Sequence, residues 1–134
     1  EYIILSRTWK NNDEISIGFE MKGKIHTMHT NPTYIAITRG PIVLSRDERL
    51  KGAALEAILR PVVNEDKYID LTQKNYSGKD IWMVFSAKFI PESYAEYGAE
   101  PVGTELCDYA SAGNAMMTYP FFKVWMPQLY DPRK

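Results

Sequence analysis

"IWMVFSAKFI", residues 81–90, alternates in the way a β-strand does. Ile81, Met83, Phe85, Ala87 and Phe89 fall on one side, because successive side chains of a strand point to opposite faces. Trp82 and Val84 make the other side partly apolar, the pattern of a strand placed centrally in its sheet. "EISIGFEM", residues 14–21, shows the same period more cleanly, with Ile15, Ile17, Phe19 and Met21 interleaved by Glu14, Ser16, Gly18 and Glu20. It reads as a strand with one wet face. Further short runs rich in β-branched and aromatic residues are "YIILS", "KIHTMHT", "TYIAIT", "PIVLS", "YIDLT" and "FFKVWM", set apart by Asn-Pro, Gly-Pro and Ser-Gly turn chemistry. About eight strands at this spacing predict an all-β fold, an antiparallel β-sandwich of jelly-roll-like form. "GAALEAILRP", residues 52–61, is the one helical candidate: Leu55, Ile58 and Leu59 share a face and Pro61 stops the pattern. At most one short helix is expected.

A chain of 134 residues that is 45% apolar has the size and the material of one domain, residues 1–134. Its net charge of −1 offers no basic footprint, so neither nucleic acid nor an anionic membrane is an expected partner. No apolar run is long enough to span a bilayer, and the stretch carries no charged and apolar leader of the signal-peptide kind. The chain opens with "EYIILSR" and no initiator Met, and reads as a piece of a longer polypeptide. Cys107 stands alone, which excludes an internal disulfide and a cysteine-built zinc site.

Catalytic chemistry is hard to find. His26 and His29 sit three apart, a spacing that sends them to opposite faces of a strand, so they would not share a metal. There is no phosphate-binding glycine loop, nucleophile elbow or zinc-binding helix motif. Asp66 with Asp70, or Glu92 with Glu96, could be imagined as acid/base pairs, but spacing alone does not make them face one sugar, and each reads as a solvated surface charge. No nucleophile, metal site or cofactor is expected. Aromatic side chains are the other possible carriers of function, since flat rings can hold a sugar's C–H face and exclude water. Trp82 and Trp125 lie inside strand patterns and read as core or interface residues; Trp9 precedes the polar turn "KNND". Tyr94 and Tyr97, in the polar segment "PESYAEYGAEP", are freer to meet a ligand, and Tyr119 falls in a loop.

Two turns stand out. In "DYASAGN", residues 108–114, Asp108 can accept backbone N–H groups two or three residues on, Gly113 can supply a positive φ, and Ala110 and Ala112 allow close approach of another backbone. It reads as a structural loop leading into the final strand, the other reading being that Asp108 or Asn114 reaches a sugar hydroxyl. Tyr94, Tyr97, Asp108 and Asn114 are therefore the weak substrate-binding candidates. Gly40-Pro41 should be a bend or bulge at which the chain changes sheet or edge, with Arg39 tied to a carboxylate or to carbonyl groups.

"SRTWKNNDEISIGFEM", "YIAITRGPIVLSRD" and "DYASAGNAMMTYPFFKVWMP" together span most of the chain. They resemble the C-terminal β-sandwich region of the glycoside hydrolase family 127-like, β-L-arabinofuranosidase-like proteins of Bacteroidetes. The matching positions are Trp9, Asp13, Met21, and Ala36 with Arg39, Gly40 and Pro41; Asn12 stands where that family commonly has Gly, and Asn also tolerates positive φ. The resemblance implies that hydrolysis belongs to an upstream (α/α)-barrel using a Glu and a cysteine-rich zinc site, neither of which this chain contains. It implies a noncatalytic accessory sandwich whose partner is that barrel, in a periplasmic or extracellular enzyme. The alternative is an independent carbohydrate-binding module that recognises plant glycan through exposed aromatics. An apolar patch suited to a domain interface would favour the first, a groove with a flat aromatic platform the second.

Overall fold

The computed structural model describes residues 2–93, 98–116 and 118–130. Among them run nine strands and no helix: β1 (Gly23–Thr27), β2 (Tyr34–Arg39), β3 (Ile42–Asp47), β4 (Leu59–Pro61), β5 (Thr72–Lys74), β6 (Val84–Pro91), β7 (Val102–Asp108), β8 (Phe122–Lys123) and β9 (Met126–Pro127). All-β is the observed class. The strands follow the order β1-β2-β3-β7-β6-β4 in one antiparallel sheet, with β5 on β6, β8 on β3 and β9 on β2. The sheet curls back toward its own first strand: Ile69 bridges both Gly23 at the start of β1 and Val63, and the Val62 N–H donates to Lys88 O of β6 at 3.0 Å. Pairing thus links all nine strands into one curled antiparallel sheet.

The inward face carries the main core. Ile35 and Ile37 of β2, Leu44 of β3, Phe85 and Phe89 of β6, Leu106 of β7 and Met126 of β9 are all buried, each burial stabilising by about 1.5–3 kcal/mol. Met83, Phe85, Ala87 and Phe89 pack there together, as the period of two at 83–89 requires. Ile81 does not follow them. It joins Val84 and Cys107 in a second cluster on the opposite face, under Leu50, Tyr76 and Ala112.

Three local expectations are corrected. Residues 52–61 form no helix; turns run to Ala57, and β4 begins at Leu59. The cause is the buried Arg46, whose guanidinium donates to the carbonyls of Ala53, Leu55 and Ala57, each at 3.0 Å, and to that of Ala54. Those are the acceptors a helix would have given to its own N–H groups. Gly40-Pro41 is neither a bulge nor a change of sheet but a two-residue hairpin loop, with Arg39 directly opposite Ile42. Gly40 has φ +54°, as the first loop position of a type II′ turn demands. Among the described residues Arg39 pairs with no carboxylate; its guanidinium carbon lies 5.0 Å from the centroid of the Phe85 ring, a cation–π placement.

"EISIGFEM" is the third. Residues 14–21 make no ladder, and Ile17 and Phe19 are 72% and 80% exposed. Ile15, Ile17, Phe19 and Met21 nevertheless share odd parity with Ile25, whose side chain packs on the core from β1. The apolar face of this segment is therefore in phase with the core face of the strand it leads into. Before it lies a formed turn: Asp13 N–H donates to Lys10 O at 3.2 Å, Lys10 N–H to the Asp13 carboxylate at 2.8 Å, and Asn12 has φ +67°.

Candidate functional site

"DYASAGN" closes on itself. Asp108, buried at the end of β7, accepts the Ser111 N–H at 3.0 Å, the Ser111 hydroxyl at 2.8 Å and the Met83 N–H at 3.0 Å. Ser111 Oγ in turn accepts the Trp82 N–H at 3.0 Å. A carboxylate so buried, with both oxygens engaged by the protein's own donors, is turned away from any ligand. One step outward, the Asp47 carboxylate receives Arg49 through Nε at 2.8 Å and Nη2 at 2.7 Å, and the Gly113 N–H at 2.9 Å. Arg49 also donates to the carbonyls of Ser111 and Asn114. Burial pushes the Asp47 carboxyl up, but Arg49 and the backbone N–H groups of Gly113 and Arg49 outweigh it and hold the group below its ordinary value. Gly113 has the positive φ expected of it, +69°. The loop is a structural clamp.

The concave surface lies beside that clamp, on the outward face of β1, β2 and β3. The register sets His26 opposite Ala36 and Thr38 opposite Val43, so these four side chains line one face of three adjacent strands. Tyr109 rises on one side, where its N–H donates to Val43 O at 2.9 Å. Val124 and Trp125 lie on the other, in the bend between β8 and β9. Together they enclose a groove of about 570 Å³. Ala36 and Val43 keep the floor low between the two aromatic rings. Tyr109 is backed by Phe122 at a centroid distance of 6.1 Å and a tilt of 53°, a geometry aromatic pairs favour. His26 Nε2 and Thr38 Oγ1 are 2.9 Å apart and form the polar end. Among the described residues no Lys, Arg, Asp or Glu lines the groove.

Of the residues nominated from sequence, Tyr94 and Tyr97 lie outside the described residues, as does Glu96. Asp108 is buried in the clamp, and Asn114 is exposed with its carbonyl on Arg49. Neither lines the groove. Asp66 is exposed, Asp70 accepts from Asn64 Nδ2 at 2.9 Å, and Glu92 pairs with Arg60 at 2.5 Å. Trp82, expected in the core or at an interface, is 88% exposed and so is not a core residue; Trp125 is 41% and Trp9 48% exposed. Among the described residues no three His, Cys, Asp or Glu side chains are grouped to hold a metal ion. No helix among them is long and apolar enough to cross a membrane.

No family model and no curated protein matches the chain. What its surface can do must therefore be read from its own side chains. What the groove supplies is shape, aromatic surface from Tyr109 and Trp125, and the hydrogen-bonded pair of His26 and Thr38. Sequence spacing could not have assembled it, because its residues come from three separated stretches, 26–43, 109 and 124–125.

Proposed function

We propose that this chain is a noncatalytic accessory β-domain of a glycoside hydrolase, which packs on and stabilises an upstream (α/α)-barrel of the same polypeptide. The glycoside hydrolase rests on the resemblance of the "TRGP" and "DYASAGN" blocks. The docking role rests on one observation: a segment patterned as a strand, residues 14–21, that holds Ile15, Ile17 and Phe19 in solvent while in phase with the core. Tyr2, Ile3 and Ile4, on the other side of the Lys10–Asp13 turn, are exposed too. Exposed apolar side chains in this number are costly in water and mark a segment suited to being covered. A strand also needs a backbone partner, and neither 2–9 nor 14–21 is paired as a strand among the described residues.

Amide hydrogen exchange of residues 15–21 tests the reading. The amides should exchange rapidly in the isolated chain and become protected in the polypeptide that carries the barrel. Equal exchange in both would refute docking through this segment. The isolated chain should also release no chromophore from aryl arabinofuranosides or galactosides, and turnover abolished by mutating one of its own carboxylates would refute the noncatalytic role.

A further inference from the structure

We infer that the groove between Tyr109 and Trp125 is a binding site for a neutral sugar ring. This goes beyond the docking role, and the two use opposite sides of one stretch of chain: the apolar residues of 14–21 have the parity of Ile25, whereas the groove takes His26.

Four features select the ligand. The volume of about 570 Å³ is that of a small-molecule site and holds a sugar residue with its neighbour. Among the described residues the lining carries no Lys, Arg, Asp or Glu, so a charged guest would lose its hydration there without such a partner to replace it. The walls are the partly exposed rings of Tyr109 and Trp125, flat surfaces suited to the C–H faces of a sugar. The polar end is His26 with Thr38: after their mutual bond the imidazole retains its second nitrogen, and the hydroxyl retains further bonding capacity. A purely apolar guest would leave that pair unanswered, whereas a hydroxylated ring meets both the flat walls and the polar end.

The backbone that carries both rings is held before any ligand arrives: the Tyr109 N–H donates to Val43 O and its ring packs on Phe122, and Trp125 directly precedes Met126, which pairs with Ile35. Less backbone then remains to be ordered on binding.

The test is a titration of the chain of residues 1–134 with arabinohexaose, xylohexaose and cellohexaose, followed by ¹H–¹⁵N spectra and calorimetry. At least one should bind saturably, moving the signals of Ala36, Thr38, Tyr109 and the Trp125 indole. Trp125→Ala, and Ala36→Leu, which fills the floor, should each weaken it by about tenfold or more, while Trp82→Ala leaves it unchanged. Thr38→Val should weaken it without altering the walls, and serves if the Leu variant misfolds, which its own spectrum reports. Absence of saturable binding by all three sugars up to about 10 mM, or binding that survives Trp125→Ala and Thr38→Val, overturns the inference. An apolar peptide that shifts the same signals where the sugars do not would overturn it in favour of a protein contact. None of these signals comes from residues 15–21, so failure here leaves the docking reading to its own experiment.

Discussion

The Asp47 carboxylate accepts the backbone N–H of Gly113 at 2.9 Å, joining the end of β3 to the loop that follows β7. Arg49 completes the contact by closing on the same carboxylate and on the Ser111 and Asn114 carbonyls. Removing the charge leaves Arg49 and an N–H without their acceptor, so Asp47→Asn should cost about 3 kcal/mol, read as a lower urea midpoint at unchanged slope. The effect should depend on pH. Because the folded Asp47 titrates below its ordinary 3.8, its contribution is whole above that value and is lost as pH falls through the depressed one. The difference between wild type and Asp47→Asn should therefore shrink only in acid.

Arg46 holds a loop by four carbonyl groups, so its loss leaves several part-buried acceptors unpaired at once. Arg46→Met should destabilise by about 3 kcal/mol or more. Arg46→Lys should rescue it poorly, since an ammonium lacks the planar fork that reaches all four. Trypsin cleavage at Lys51, inside the held loop, should accelerate in both variants.

Trp82 should behave as a surface residue. Trp82→Ala is expected to change stability by no more than about 0.5 kcal/mol in thermal melts, because 88% exposure leaves little packing to lose. A loss of several kcal/mol would mean that the indole is covered in solution.

Cys107 should be silent toward thiol reagents. Burial, reinforced by Asp47 and Asp108, pushes its thiol up to about 12, and only the thiolate reacts. Labelling by a chromogenic disulfide at neutral pH should follow unfolding, becoming rapid only in denaturant.

These outcomes show which parts of the fold local pattern can report. Residues 84–89 alternate and are a strand, because pattern, ladder and core coincide there. Residues 14–21 alternate as well and are not, since periodicity describes the faces a strand would have and says nothing of a neighbour to pair with. "GAALEAILRP" has good helix formers, but Arg46, outside the segment, takes their carbonyls, a tertiary effect that propensity does not contain. Asp108 and Gly113 were legible because Asx and glycine turn chemistry acts within a few residues. The groove was not, because register and chain return, rather than spacing, bring His26, Tyr109 and Trp125 together.

The short β9 has a bearing on the order in which the molecule can be made. Met126 and Pro127 cap the edge of β2 at Ile35 and Tyr34, yet among the described strands theirs is the last to be synthesised. Until then that edge presents free N–H and C=O groups beside the apolar Ile35 and Ile37. Pairings between such distant parts of a chain form slowly, and an open apolar edge is what nascent chains aggregate through. Truncation before Met126 should therefore be felt less as a lost contact than as a poor yield of soluble protein.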